Sequence, residues 1–523
     1  MWYPANHYFP FPPTAFLLKG TFYSQIPQTM LAAEQTIHHL PSPARTRLNP
    51  TSNLDMKYAF PEQVEALAEI QKLFTVSDQQ LAELVKRMGE EMQIGLERDD
   101  ASDLKMIPSF VTGYPTGQEE GVYLALEISG MDIYVCQVKL KGQGGKLAIN
   151  QYQYKIPAAL ATGQDIADLV DYIADCVSDF LVRVGSQDLF VYPMAISFGF
   201  AVEQTALNKG YIIALGHGFD YANGVGCDVV ELIHSRFQRK GLSVRVVAIA
   251  NDTVCTLLAH AYQHPSTKLG IVHSAGTNCA YYETMDNISK LQTNANHIRS
   301  SSDGSDMIIN TEWCNFGSKK KYLPSTWFDR KLDRESNNPN VHIFEKMTTG
   351  VYLGELVRIV LIHLVDNEML FGGESSEVLN TPFSFDTSYM YVCENDDTPS
   401  LDGIRVILED MLKVGATSMA DREIVKKVCE IIGERATMLV GAGTASVVQY
   451  MVEHGIGMDL DGSGFAISIS GDIYEDYPQF HPRVCKTLKK MLPEHIAAKL
   501  SVGIVKHSRI VGAAIVAMMA EKA

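Results

Sequence analysis

VRVVAIANDTVCTLLAH, residues 244–260, is the stretch on which the reading of this 523-residue chain turns. The β-branched run Val244, Val246, Val247 and Ile249 stops at Asn251-Asp252-Thr253, and apolar positions at helical spacing (Val254, Leu257, Leu258, Ala261) take over at once. That is strand, tight turn, helix. A carboxylate at the C-terminal end of a buried strand in an open α/β sheet faces the crevice where ligands bind, which makes Asp252 a candidate general base. Asp and Asn are equally the preferred helix N-caps, and the stretch alone leaves both roles open.

Upstream, residues 121–140 read as two strands in a hairpin turning at Ser129-Gly130, residues 151–155 as a third strand and 163–184 as a helix. A buried strand (189–198) and a helix (228–240) lead into the opening stretch. Downstream come strands at 268–273, 280–283 and 307–310, with a polar insertion at 287–306. Helices dominate 344–450 with an acidic break at 395–402. Strand 464–470, helix 481–492, strand 500–505 and a closing helix at 511–521 follow. Two helices (61–74, and 77–95 with Ser77 as cap) and a short strand (109–112) stand before the hairpin. Strands in a meander, then alternating with helices, twice over, imply two facing α/β layers.

A chain this long exceeds what one core serves, and at about 100–200 residues per domain two or more are expected. Lys plus Arg number 44 and Asp plus Glu 61, giving a net charge of −17. That balance excludes nucleic-acid binding through the bulk surface, which needs a basic face. Nine cysteines lie scattered without CxxC spacing, mostly in apolar stretches. They imply free thiols in a reducing, intracellular compartment, and no metal site is expected. The most apolar helical stretch, 351–365, is interrupted by Glu355, Arg358 and His363, so no membrane span is expected. Residues 1–56 are rich in Pro, His and aromatics, with Glu34 the one acid before residue 55, and read as a disordered leader. Its acid-poor start leaves mitochondrial association open beside a cytoplasmic or nuclear location.

From about residue 57 onward the chain resembles the eukaryotic hexokinases. The matching text includes LKMIPSFVTGYPTG (104–117), 203–210, 251–257, 276–280, 309–313 and, most diagnostic, FEKMTTGVYLGE (344–355). The resemblance implies a two-domain actin-like ATPase fold, with ribonuclease-H-like sheets facing a central cleft. A large domain (57–117 and 251–506) and a small one (118–250 and 507–523) would close on sugar and Mg-ATP. It implies sugar contacts from Asn251, Asp252, Asn278, Glu312 and Glu345, with Asp252 taking the 6-hydroxyl proton. Singly, Asn278 and Glu312 are ordinary loop or cap residues; in family order they form a set.

The rest of the cleft departs from the family pattern. Ser-Phe-Pro-x-x-Gln is replaced by Gly199-Phe200-Ala201-Val202-Glu203-Gln204, and Thr-Lys-Gly-Phe by Gly216-His217-Gly218-Phe219. His217 either stands in for the Lys when protonated or is an exposed loop residue. Charged sugar contacts are worth about 1.5–3 kcal/mol each, so glucose or a related hexose is expected to bind weakly. The phosphate turn Asp-Leu-Gly-Gly-Thr-Asn reads Glu127-Ile128-Ser129-Gly130-Met131-Asp132, and Gly-Thr-Gly reads Ser274-Ala275-Gly276. On the adenosine side Asp-Gly-Ser becomes Ser470-Gly471-Asp472, and Gly-Ser-Gly becomes Ser508-Arg509-Ile510. Phosphoryl transfer rests on positioning and charge stabilisation, so Mg-ATP binding is expected to be weak or lost and turnover strongly impaired. Among such sequences the chain resembles the atypical hexokinases of filamentous fungi, regulators in carbon starvation and extracellular protease production, which implies a regulatory protein partner. The alternative is an active, divergent ATP:hexose 6-phosphotransferase with Asp252 as base.

Overall fold

The computed structural model describes residues 36–39, 56–185, 190–215, 219–293, 306–319, 321–457 and 464–522. The stretch read as strand, turn and helix is a strand, Val244–Ala250, and a helix, Asp252–Ala261. Every strand residue except Arg245 is buried, because both faces of the strand are covered. It pairs in parallel with Tyr192–Phe198, itself buried throughout. Next come the hairpin strands Glu120–Ser129 and Asp132–Lys141 and then Leu147–Lys155, completing a five-stranded sheet.

The second large sheet has seven strands. Its order is Thr36–His39, Ser501–Ile504, Ala466–Ser470, Thr267–His273, Thr277–Glu283, Met307–Asn310 and Ile107–Thr112. Thr36–His39 lies inside the segment expected to lack order, yet pairs antiparallel with Ser501–Ile504. An open sheet edge presents unpaired amides and carbonyls, which this added strand pairs. The rest of that segment lies outside the described residues. So does much of the polar insertion, which begins with a short helix, Ser289–Thr293. The hairpin Ala201–Ala206 with Lys209–Ala214 has no counterpart in the sequence reading; its strands are short and mixed in polarity.

There are two apolar cores: the smaller is built on residues such as Leu126, Ile173, Phe180, Ile196 and Phe237, and the larger joins the seven-stranded sheet to Ala125, Cys136 and Val138 of the five-stranded one. In the larger core the 35-residue helix Met419–Glu453 runs through the middle. The helix Ser508–Lys522 touches both systems, packing on helix Asp252–Ala261 and on four strands of the five-stranded sheet. Gly512 makes this possible, since a Cβ there would stand 2.0 Å from the Cys255 carbonyl oxygen. At its far end Glu521 receives both bonds of Arg245 Nη2, at 2.7 and 2.8 Å. At its start the hydroxyls of Ser508, Thr256 and Ser470 form a triangle with sides of 3.0–3.1 Å. The start of the helix is thereby fixed to helix Asp252–Ala261 and to the end of strand Ala466–Ser470.

Candidate active site

Asn251 resolves the ambiguity at the turn. Its side chain accepts from the Thr253 amide at 2.9 Å and from the Thr253 hydroxyl at 2.5 Å, so Asn251 is the N-cap. Asp252 is the first helical residue, with its carboxylate free of capping. Burial raises its pKa, against the opposing influence of the nearby Arg509 cation and of backbone amides.

Next to it, three polar side chains lock one another. Asn278 Nδ2 donates to Asn310 Oδ1 (2.8 Å) and to Glu312 Oε1 (2.7 Å), and Asn310 Nδ2 donates to the same Glu312 oxygen at 2.8 Å. Asn310 ends the strand Met307–Asn310 and Glu312 follows two residues on, just outside it, where both side chains reach the same point. Burial raises the Glu312 pKa, opposed by the two carboxamides and raised further by Asp252, so these two carboxylates share one cleft. Glu345 enters from the other side. Its Oε2 accepts from the Thr277 amide at 3.0 Å, and only a glycine at 276 allows this, because a Cβ there would lie 2.7 Å from that oxygen. Its Oε1 meets His342 Nδ1 at 3.2 Å. Glu312 and His342 both hold left-handed backbone conformations (φ 53° and 57°), which residues with side chains sustain where packing fixes them. His217 lies outside the described residues, as do its neighbours Gly216 and Gly218.

Beyond Asp252, and within its electrostatic range, the hairpin turn presents Glu127, Ser129, Gly130 and Met131. Gly130 takes the positive φ the tight turn needs, and Met131 packs its thioether onto the smaller core. Glu127 is 7% exposed and forms an ion pair with Arg509, Nη1 to Oε1 at 2.9 Å; the same nitrogen donates to the Ser129 hydroxyl at 3.0 Å. Arg509 stands in the first turn of its helix, where the macrodipole disfavours a cation, so these acceptors offset an otherwise unfavourable placement. Burial lowers its pKa, but Glu127, Asp252 and Asp472 outweigh that and raise it. In the second turn Ser274 donates its hydroxyl to Asp472, Ala275 is exposed at the tip, and the Ser274 amide closes on the Gly276 carbonyl at 2.8 Å. Gly471 adopts φ 126° with room for no Cβ, which would fall 2.2 Å from the His273 carbonyl oxygen.

The structure therefore brings Asp252, Asn278, Glu312 and Glu345 together beside the Gly276 end of the second turn, with Arg509 linking Asp252 to the hairpin turn and Ser274 linking the second turn to Asp472, next to Gly471. Sequence reading registered Arg509 as a lost serine and glycine context; it had no means of showing that the guanidinium reaches Glu127.

Profiles described as Hexokinase match residues 66–262 and 268–519. Hexokinase-1 of Schizosaccharomyces pombe is 31% identical over 481 residues, covering 92% of this chain and 95% of its own length. Hexokinase-2 of rice, Oryza sativa subsp. japonica, is 34% identical over 460 residues, 86% of this chain and 90% of its own. The chain belongs to the hexokinase family. A solved hexokinase from Schistosoma mansoni, complexed with glucose, superposes with a TM-score of 0.76 at 31% identity, over 87% of this chain and 98% of that one. The two-sheet architecture is the hexokinase fold, and Mg-ATP and hexose are the ligands associated with that family.

Proposed function

We propose that this hexokinase-family protein is a regulatory member in which phosphoryl transfer is disabled and a weak hexose site is retained. Arg509 is the observation that carries the reading. Its guanidinium lies on Glu127 and Ser129, within electrostatic range of Asp252 and Asp472. A fixed cation among these acids takes the ground on which Mg-ATP would rest, and Asp472 adds a negative charge beside the second turn. The donor set therefore does not suit Mg-ATP. Asn251, Asn278, Glu312 and Glu345 would still meet sugar hydroxyls in pairs, with Asp252 beside them.

The division into a large unit (57–117, 251–506) and a small one (118–250, 507–523) belongs to the same reading. It is supported by the two sheets drawing their strands from those ranges, save Thr36–His39, and by the final helix touching both. The resemblance to atypical fungal hexokinases supports a role in nutrient signalling during carbon starvation, including control of extracellular protease production, through a protein partner. Nine free thiols, all but Cys227 buried, support an intracellular setting, cytoplasmic or nuclear. No helix among the described residues is long and apolar enough to cross a membrane.

A second reading keeps the enzyme active, with Asp252 as base and Arg509 as a clamp on the transferring phosphoryl group. The capping role of Asn251, which leaves the Asp252 carboxylate available, favours it. A coupled glucose-phosphorylation assay on the purified chain separates the two. The expected turnover is at least thousandfold below the roughly 10–100 per second of an efficient enzyme. Turnover in that ordinary range, abolished by Asp252→Ala, overturns the regulatory reading.

A further inference from the structure

We propose that Cys314, His342, Glu345 and Glu312 form a binding site for a borderline-soft divalent cation, with zinc the best match, at the sugar end of the cleft. The inference is independent of whether the protein transfers phosphoryl groups. Ligand atoms of Cys314, His342 and Glu345 all lie within 4.8 Å of one another. Glu312 lies outside that mutually close trio and touches it at one edge, its Oε2 standing 3.6 Å from Cys314 Sγ, so a side-chain shift would bring it onto the ion as the fourth ligand. Zinc binds sulfur at about 2.3 Å and nitrogen or oxygen at about 2.0–2.2 Å, so neighbouring corners of its tetrahedron lie roughly 3.3–3.6 Å apart. The His342 Nδ1 to Glu345 Oε1 separation is 3.2 Å, and the Cys314 to Glu312 separation is 3.6 Å. Both edges are already near the required length.

Outer support is also present. Glu312 Oε1 is held by two carboxamides, from Asn278 and Asn310, which leaves Oε2 turned to the thiol. Glu345 Oε2 is held by the Thr277 amide, which leaves Oε1 turned to the imidazole. Each carboxylate thus has one oxygen oriented by a donor and one directed inward, the arrangement by which metal sites fix their ligands. Asn315 Nδ2 steadies the sulfur from behind at 3.4 Å. Cys314 is buried and the His342 side chain is 36% exposed, so the cluster has a closed floor and an open approach from the cleft. Mixed sulfur, nitrogen and oxygen donors select zinc over magnesium or calcium, which take oxygen. On binding, a metal–sulfur bond forms as the Cys314 S–H bond breaks, the proton leaves to solvent, and His342 binds as neutral imidazole. One thiolate and two carboxylates against a 2+ ion leave a site charge of −1. Metal and hexose would address the same pocket, since Glu312 and Glu345 serve both.

The test is cobalt(II) titration of the full chain after chelator treatment and buffer exchange. One equivalent is expected to give intense visible bands of tetrahedral cobalt and a near-ultraviolet thiolate-to-metal band, both discharged by one equivalent of zinc. Cys314→Ser should abolish the near-ultraviolet band, and His342→Gln, at the exposed rim, should weaken zinc binding at least tenfold with an unchanged melting temperature. If the serine variant fails to fold, the rim variant reads the same site. Absence of the near-ultraviolet band at saturating cobalt, its persistence in Cys314→Ser, or full zinc affinity in His342→Gln overturns the proposal.

Discussion

A single guanidinium differs from a bound magnesium ion in that it cannot leave. Arg509 is tethered to a packed helix and paired with Glu127, so removing it has two expected effects. Arg509→Ser strands the Glu127 carboxylate, whose pKa burial already raises against Arg509's influence, and should cost about 1–3 kcal/mol, discounted for the partly exposed guanidinium. It should also open the cleft to nucleotide. A tenfold excess of Mg-ATP over its dissociation constant adds about 1.4 kcal/mol, so a positive melting shift absent from the parent is the expected outcome. Restoring the turns alone (Ser129→Gly, Met131→Thr, Ser274→Gly, Ala275→Thr) should give no shift while Arg509 remains, because the defects act as one unit. Phosphorylation by the parent that vanishes in Arg509→Ser would instead identify the arginine as a phosphate clamp. The altered turns were legible in the sequence as substitutions. The reach of Arg509 was not, because its acceptor Glu127 lies 382 positions away and no local pattern records a contact of that separation.

The elements most readable from sequence were those whose periodicity and caps agree. Asn251, the 3.6-residue spacing after it and the buried strand before it place Val244–Ala250 and Asp252–Ala261, although the helix takes in Asp252 and Thr253, which the sequence assigns to the turn. Capping at Ser77 is of the same kind, a reciprocal box with Gln80. The closing helix was read from 511 but begins at Ser508, because the hydroxyl triangle with Thr256 and Ser470 that fixes its start is tertiary. Cys314 and His342 sit on separate short segments and come together only where Glu312 and Glu345 converge. The packing of the closing helix yields a prediction at this scale. Gly512→Ala forces a Cβ against the Cys255 carbonyl, so it should lower the urea-unfolding free energy by about 1–3 kcal/mol and displace Arg509. Its buried neighbour Ala513, whose substitution by glycine creates no such clash, supplies the comparison, with a loss of about 1 kcal/mol in helix propensity and about 0.8 kcal/mol for the buried methyl.

Across the whole molecule, acid stability is set by groups of opposing sign. His260 and His273 are buried, their pKa values lowered by burial to about 3 and about 4. Both stay neutral in the folded chain while an unfolded chain protonates them near pH 6.5. Their contribution is complete above that value and is lost as pH falls from about 6.5 toward 4, by up to about 1.4 kcal/mol per pH unit for each ring. Glu127, Asp252 and Glu312 have raised values and act the other way, since protonation relieves their burial. His273→Gln should therefore flatten the dependence of unfolding free energy on pH between 6.5 and 4, and an unchanged slope would show that the ring is accessible to protons. On the regulatory reading, Arg509 also determines what the protein can report. An ordinary kinase cleft fills and empties with the supply of adenylate and so carries news of cellular energy. A cleft filled by its own side chain has an occupancy that no concentration alters, and the only variable left for it to transmit is what arrives at the other end.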